Sequence, residues 1–161
     1  MRQKIETLKI VEAYRLLSVA KYSALSSEEK IKVWRAAIAL MPTAEQYDKA
    51  FSSAAEKLRP TTEGFAERLA RAEGLERMLR LPNFDPKDIP MGAAEYNNFI
   101  VKELNPYNKT VEEAVRPIAE KMVELDIDMI DQDTFGKLMT ANEDVWTITQ
   151  AVKVGQLIVV K

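Results

Sequence analysis

Four aspartates fall within eight residues of "VELDIDMIDQDTFGKLM" (123–139): Asp126, Asp128, Asp131 and Asp133. Clustered carboxylates are the usual ligands of hard divalent cations. Read as a calcium loop starting at Asp131, the stretch puts Asp133 at position three and Gly136 at position six. Phe135 then falls at position five, and Asn142 stands where a bidentate glutamate is required. Two ligands are lost, so the loop reading fails. Asp126, Asp128 and Asp131 remain as a looser metal candidate. Period offers another account of the same residues. Val123, Leu125, Ile127 and Met129 alternate with Glu124, Asp126 and Asp128, which predicts a strand with one polar face. Asp131 then caps a short helix that runs through Leu138.

Other chemistry is sparse. The 161 residues include neither cysteine nor histidine. That excludes disulfides, thiolate metal sites, cysteine nucleophiles and the serine-hydrolase triad. No glycine-rich phosphate loop or nucleophile elbow occurs, and no cofactor is implied. A second candidate is the arginine row Arg59, Arg68, Arg71, Arg77 and Arg80, a phosphate-binding surface if unpaired. Glutamates 56, 63, 67, 73 and 76 interleave with it. Glu67–Arg71, Glu73–Arg77 and Glu76–Arg80 are spaced as i, i+4 helix pairs, so a neutralised face is expected. The aromatics Phe84, Tyr96, Phe99 and Tyr107 surround a proline loop and could line a groove.

Helices must position these groups. Residues 4–22 carry Ile5, Leu8, Ile10, Val11, Tyr14, Leu16 and Leu17, an apolar stripe too wide for a lightly docked helix. Ser26 and Glu29 make a capping box for a second helix, expected to end at Pro42. Thr43 and Gln46 form another box, starting a third helix through Leu58. A fourth helix spans 62–80. "LPNFDPKDIPMG" (81–92) is the clearest loop, with three prolines in nine residues. A short helix over 93–104, the loop "NPYNKT" and a helix from a Thr110–Glu113 box to Glu124 follow, with a kink or late start at Pro117. Residues 143–161 read as a helix from Glu143 to Val154 and an extended end, or as two strands around Gly155. The helix is preferred because Asn142-Glu143-Asp144 resembles a cap with an acidic first turn.

The opening "KIETLKIVEAYRLLSVAKYSALSSEEKIKVWRAAIAL", the segment "EQYDKAFSSAAEKL" and the closing "VELDIDMIDQDTFGKLM" with "NEDVWTITQAV" resemble short uncharacterised proteins encoded by tailed bacteriophages. The resemblance implies an accessory protein of virion assembly, or one acting on a host factor. It supplies no catalytic residues.

The expected fold is mainly α: a helical bundle over 1–80, the proline-rich loop 81–92, and a helical segment with a short strand over 93–161, expected to pack as one domain with the N-terminal part. Residues 1–80 hold 15 basic and 11 acidic side chains, whereas 81–161 hold 8 and 14. Neither half is basic enough to argue for nucleic acid alone. The N-terminus is charged throughout, and no segment has the apolar length of a membrane span, so a location in the host cytoplasm or a virion is expected. The leading reading is a non-enzymatic interaction protein, with a protein partner or a second copy. Its expected surface comprises Leu8, Val11, Tyr14, Arg68, Arg71, Arg77, Tyr96 and Phe99. A nucleic-acid-binding accessory protein using helix 59–80 is the alternative, and a carboxylate-metal hydrolase the third.

Overall fold

The computed structural model describes residues 1–160. The chain is mainly helical, with one small antiparallel sheet. Strand β1 (Arg2–Glu6) is followed by helices α1 (Thr7–Ser18), α2 (Ser27–Lys57) and α3 (Phe65–Leu79). After the proline loop come α4 (Ala93–Phe99), a π-helical turn (Ile100–Leu104) and α5 (Asn105–Ala119). Strand β2 (Met122–Asp126), α6 (Gln132–Ala141) and α7 (Ile148–Ile158) complete the order. Two compact units result: residues 1–50 with 116–161, and residues 51–115. The first unit joins residues from both sides of the proline loop, since β1 pairs with β2.

In the first unit, β1 pairs with β2 in the register Arg2↔Asp126, Lys4↔Glu124 and Glu6↔Met122. Opposite charges thus face each other at two positions, an arrangement that favours one register. Ile5 alternates inward and is buried. Residues 4–6 were expected to be helical; pairing with β2 claims them instead, and α1 starts at Thr7. The Thr7 hydroxyl and its backbone N–H both donate to the Lys121 carbonyl, at 2.9 Å. Ile10, Ala13 and Leu17 of α1 then join Val33, Ala36 and Leu40 of α2, Ile127, Ile130, Leu138, and Val154, Leu157 and Ile158 of α7 in one core. Ile5, Ile10 and Leu17 of the wide stripe are therefore spent inside the unit, with Tyr14 and Leu16 packed partly against it, while Leu8 stays exposed.

Helix α2 begins on the expected capping box: Ser26 N–H donates to Glu29 Oε2 at 2.7 Å, and Glu29 N–H to Ser26 Oγ at 3.3 Å. It does not end at Pro42, nor restart at Thr43. Val33, Ala36, Leu40, Ala44 and Tyr47 are buried in unbroken helical phase. Continuous packing across the proline outweighs the missing N–H, at a cost of about 3 kcal/mol in an interior position.

Helix α6 is capped as expected, Asp131 Oδ1 accepting from Thr134 N–H at 2.7 Å. Helix α7 starts five residues later than expected. Its box is Thr147 with Gln150, each side chain bonded to the other's backbone N–H. Asn142 closes α6 instead, with its side chain turned inward. The chain beyond α7 is extended, and Val159 bridges Ile130 in parallel: Ile130 N–H donates to the Ile158 carbonyl and Val160 N–H to the Ile130 carbonyl.

The second unit has its own core of Phe65, Ala72, Leu75, Met91 and Phe99. The Phe65 ring lies 5.6 Å from Phe99 and 5.6 Å from Tyr107, edge-on to the latter. "NPYNKT" is helical here, and Thr110 is no cap; its hydroxyl donates to the Pro106 carbonyl one turn back. Pro106 follows the π-helical turn directly, inside a helical run continuous from Ala93 to Ala119. Pro117 lies in the last turn of α5, and the helix ends at Ala119.

Candidate functional site

Helix α2 is apolar on two sides over its first half. One side supplies the core. The other carries Ile31, Trp34 and Ile38, exposed by 47%, 47% and 60%, with half-buried Met41 in the same row. A helix that is apolar all round is ordinarily covered all round. Beyond Met41 the row turns polar, with Glu45, Lys49, Ser52 and Glu56 at the following positions. The apolar face is thus a bounded patch on the first unit.

Aromatic packing fixes the patch. The Tyr22 ring meets Trp34 edge-on, with centroids 6.0 Å apart. Tyr22 donates its hydroxyl proton to the Leu17 carbonyl, and burial raises its pKa, so the phenol stays neutral. Trp34 therefore rests on a ring that is itself anchored to α1. Alongside runs a groove of about 370 Å³, lined by Tyr14, Leu17, Tyr22, Trp34, Ile38 and Met41 among others. Arg15 and Lys21, next in sequence to the lining residues Tyr14 and Tyr22, are held in ion pairs with Asp48 and Asp144. Hydrogen bonding from Lys21 lowers the Asp144 pKa. This is a surface for shape and apolar contact, with no acidic or basic side chain among its lining residues.

The other candidate residues are differently placed. Val11 and Phe99 are buried, so neither lies on an exposed surface; Phe99 belongs to the core of the second unit. Leu8 is exposed on α1, and Tyr14 contributes to the groove. In the second unit, Arg68 holds Glu103 through two bonds of 2.7 Å and donates to the Glu63 carbonyl at 3.2 Å. That contact lowers the Glu103 pKa and raises that of Arg68. Arg71 holds Glu95 at 2.8 and 3.0 Å and donates to the Pro90 carbonyl. Arg77 reaches the Glu73 carbonyl, and Tyr96 donates to Glu76 at 2.8 Å. Arg68 and Arg71 therefore meet carboxylates from other elements, so Arg71 pairs with Glu95 in place of the expected Glu67, whereas Arg77 bonds only the backbone of its own helix.

The aspartates are dispersed in role. The N-terminal ammonium lies 2.8 Å from Asp126 and lowers its pKa. Asp131 is the α6 cap, its pKa lowered mainly by the Thr134 backbone bond. Asp128 is exposed beyond the end of β2. Among the described residues no three carboxylates gather into a group able to hold a metal ion.

A further apolar groove, of about 480 Å³, lies between α6 and α7, lined by Phe135, Met139, Val152, Gly155, Val159 and Val160 with Gln132 and Gln156. Sequence reasoning singled out neither groove. The α2 signal is legible in the spacing of Ile31, Trp34, Ile38 and Met41, which puts them on one helical face; spacing alone does not say whether that face is buried or exposed.

No protein-family model, curated protein or solved structure matches the chain. Among the described residues no helix is long and apolar enough to cross a membrane.

Proposed function

We propose that this chain is a non-enzymatic protein-interaction module whose working surface is the outward face of α2. One observation carries the reading: Trp34 stands half-exposed between Ile31 and Ile38 on a helix whose other side is already core. Tryptophan in a pocketed apolar setting is the residue type most enriched at binding hot spots. Contiguous exposed apolar surface with a polar rim is itself the mark of an interaction site. The resemblance to short tailed-phage proteins supports an accessory role, in virion assembly or on a host factor.

A photo-crosslinking side chain at position 34, with a control at Ser52 beyond the apolar row, tests this in an extract of the source cells. The expected result is an adduct from position 34 alone, identified by mass spectrometry and competed by the unmodified chain. Competition by a Trp34→Glu chain should fail. Equal labelling from both positions, or none, would reject the α2 face as the working surface.

A further inference from the structure

The α2 row has a spacing that a two-fold axis maps onto itself. Ile31, Trp34, Ile38 and Met41 are separated by three, four and three residues. The row is thus symmetric about the level of Ala36. Two antiparallel copies of α2 crossing at that level place Ile31 against Met41 and Trp34 against Ile38, and the same contacts recur on the other side of the axis. This self-complementarity is what an isologous interface requires.

Charge follows the same symmetry. Lys30 precedes the midpoint by six residues and Glu45 follows it by nine, about 9 and 13.5 Å along the axis at 1.5 Å per residue. In the antiparallel pair, Lys30 of one copy lies within about 4–5 Å axially of Glu45 of the other, twice per dimer. Among the described residues neither Lys30 nor Glu45 enters an ion pair within its own chain, whereas neighbouring Glu29, Lys32 and Asp48 do. The helix dipoles also oppose in this arrangement. One contact works against it. The exposed Arg35 of each copy falls beside the axis on the same flank. The apolar row is also short of the roughly 800 Å² per partner of a standard interface.

We infer that the outward face of α2 is an antiparallel homodimer interface of modest affinity, centred on Ala36 and held in register by reciprocal Lys30–Glu45 pairs. The inference rests on the proposed reading of α2 as an interaction surface and names its occupant as a second copy of this chain.

Sedimentation of the full chain over roughly 1–500 µM should show a reversible monomer–dimer equilibrium. Trp34→Glu should weaken it at least tenfold, with an unchanged circular dichroism spectrum because the site is half-exposed. Lys30→Glu and Glu45→Lys should each weaken it several-fold, since each places like charges together at both pairs. Mixing the two variants restores opposite charges at both pairs, so the mixture should dimerise better than either alone. Arg35→Ala should tighten the dimer about twofold. A mixture no better than its components would overturn the register, and a monomer at every concentration would overturn the dimer. The position-34 adduct separates the two levels: its identification as another protein retains the interaction surface and removes the self-partner, and its absence removes both.

Discussion

Asn142 offers a sharp test of how the first unit is closed. Its side chain is fully buried between the end of α6 and the loop after α1. Oδ1 accepts from Lys21 N–H at 2.7 Å, and Nδ2 donates to the carbonyls of Lys21 and Leu138 at 2.9 and 2.8 Å. An amide is the one group of this size that accepts on one side and donates twice on the other. Asn142→Leu removes three bonds, each contributing about 1 kcal/mol net. The Leu138 carbonyl is left buried, while the Lys21 groups are partly exposed and recover water. A loss of about 2–4 kcal/mol is expected. Asn142→Asp keeps the bond from Lys21 N–H but turns an oxygen towards two carbonyls and buries a charge. Burial and those carbonyls raise its folded pKa above the unfolded value of about 3.9. Between the two values the folded state binds a proton that the unfolded state does not. Stability of this variant therefore falls as pH rises from about 4 through the folded pKa, then levels off. At pH 7 it should be less stable than Asn142→Leu, and the gap should narrow or reverse on acidification. Urea unfolding of the parent and both variants from pH 4.5 to 8 gives the comparison, with equal m-values as the two-state check. A leucine variant within about 0.5 kcal/mol of the parent, or an aspartate variant whose deficit is flat with pH, would refute the reasoning.

Gly155 is a second test: a Cβ there would lie 2.9 Å from Phe135 Cε1. Gly155→Ala should therefore lose about 1–3 kcal/mol despite the better helix former, and Phe135→Leu in the same chain should recover part of it in chemical denaturation. Thr147→Ala removes the α7 cap and should cost about 1 kcal/mol, read as a lower Tm; Thr147→Ser should cost much less. Asp131 carries a lowered pKa through its bond from Thr134 N–H, so its stabilisation is present above the unfolded aspartate pKa and is lost as pH falls through the folded value. Asp131→Asn keeps an acceptor at the cap and should flatten the acid side of the stability–pH profile measured by thermal melts.

The sequence was most legible where local chemistry and tertiary need agree. Ser26–Glu29 and Asp131 cap helices because their acceptors sit three residues before free N–H groups, a requirement complete within four residues. The alternation through β2 was visible for the same reason: a period of two survives without knowledge of the partner. Its partner strand was not visible. Arg2, Lys4 and Glu6 also alternate with Gln3 and Ile5, yet the stretch runs into the helical row of Ile10, Val11 and Leu17, and the longer period prevailed. Only Arg2↔Asp126 and Lys4↔Glu124, about 120 residues apart, decide between the two. Pro42 misled in the opposite direction. A proline stops a helix when nothing else holds it, but Leu40, Ala44 and Tyr47 are buried on either side of it, and their packing depends on the fold.

The candidate site was hidden by the same limit. From sequence, Ile31, Trp34, Ile38 and Met41 form a proper helical face, and a proper face is assumed to point inward. The small residues Ala36 and Ala44, spaced with Val33 and Leu40, offer an equally regular alternative with less apolar volume. The fold selects the smaller one for the core, where Val33, Ala36 and Leu40 pack with α1 and α7, and leaves Trp34 half-exposed against Tyr22 on the other side. Hydrophobicity thus records that a face is to be covered; whether its own chain or another covers it depends on which face the core has already taken. In α2 that choice leaves the larger side chains outside, and this inversion is the physical ground of the proposal that the helix has a partner.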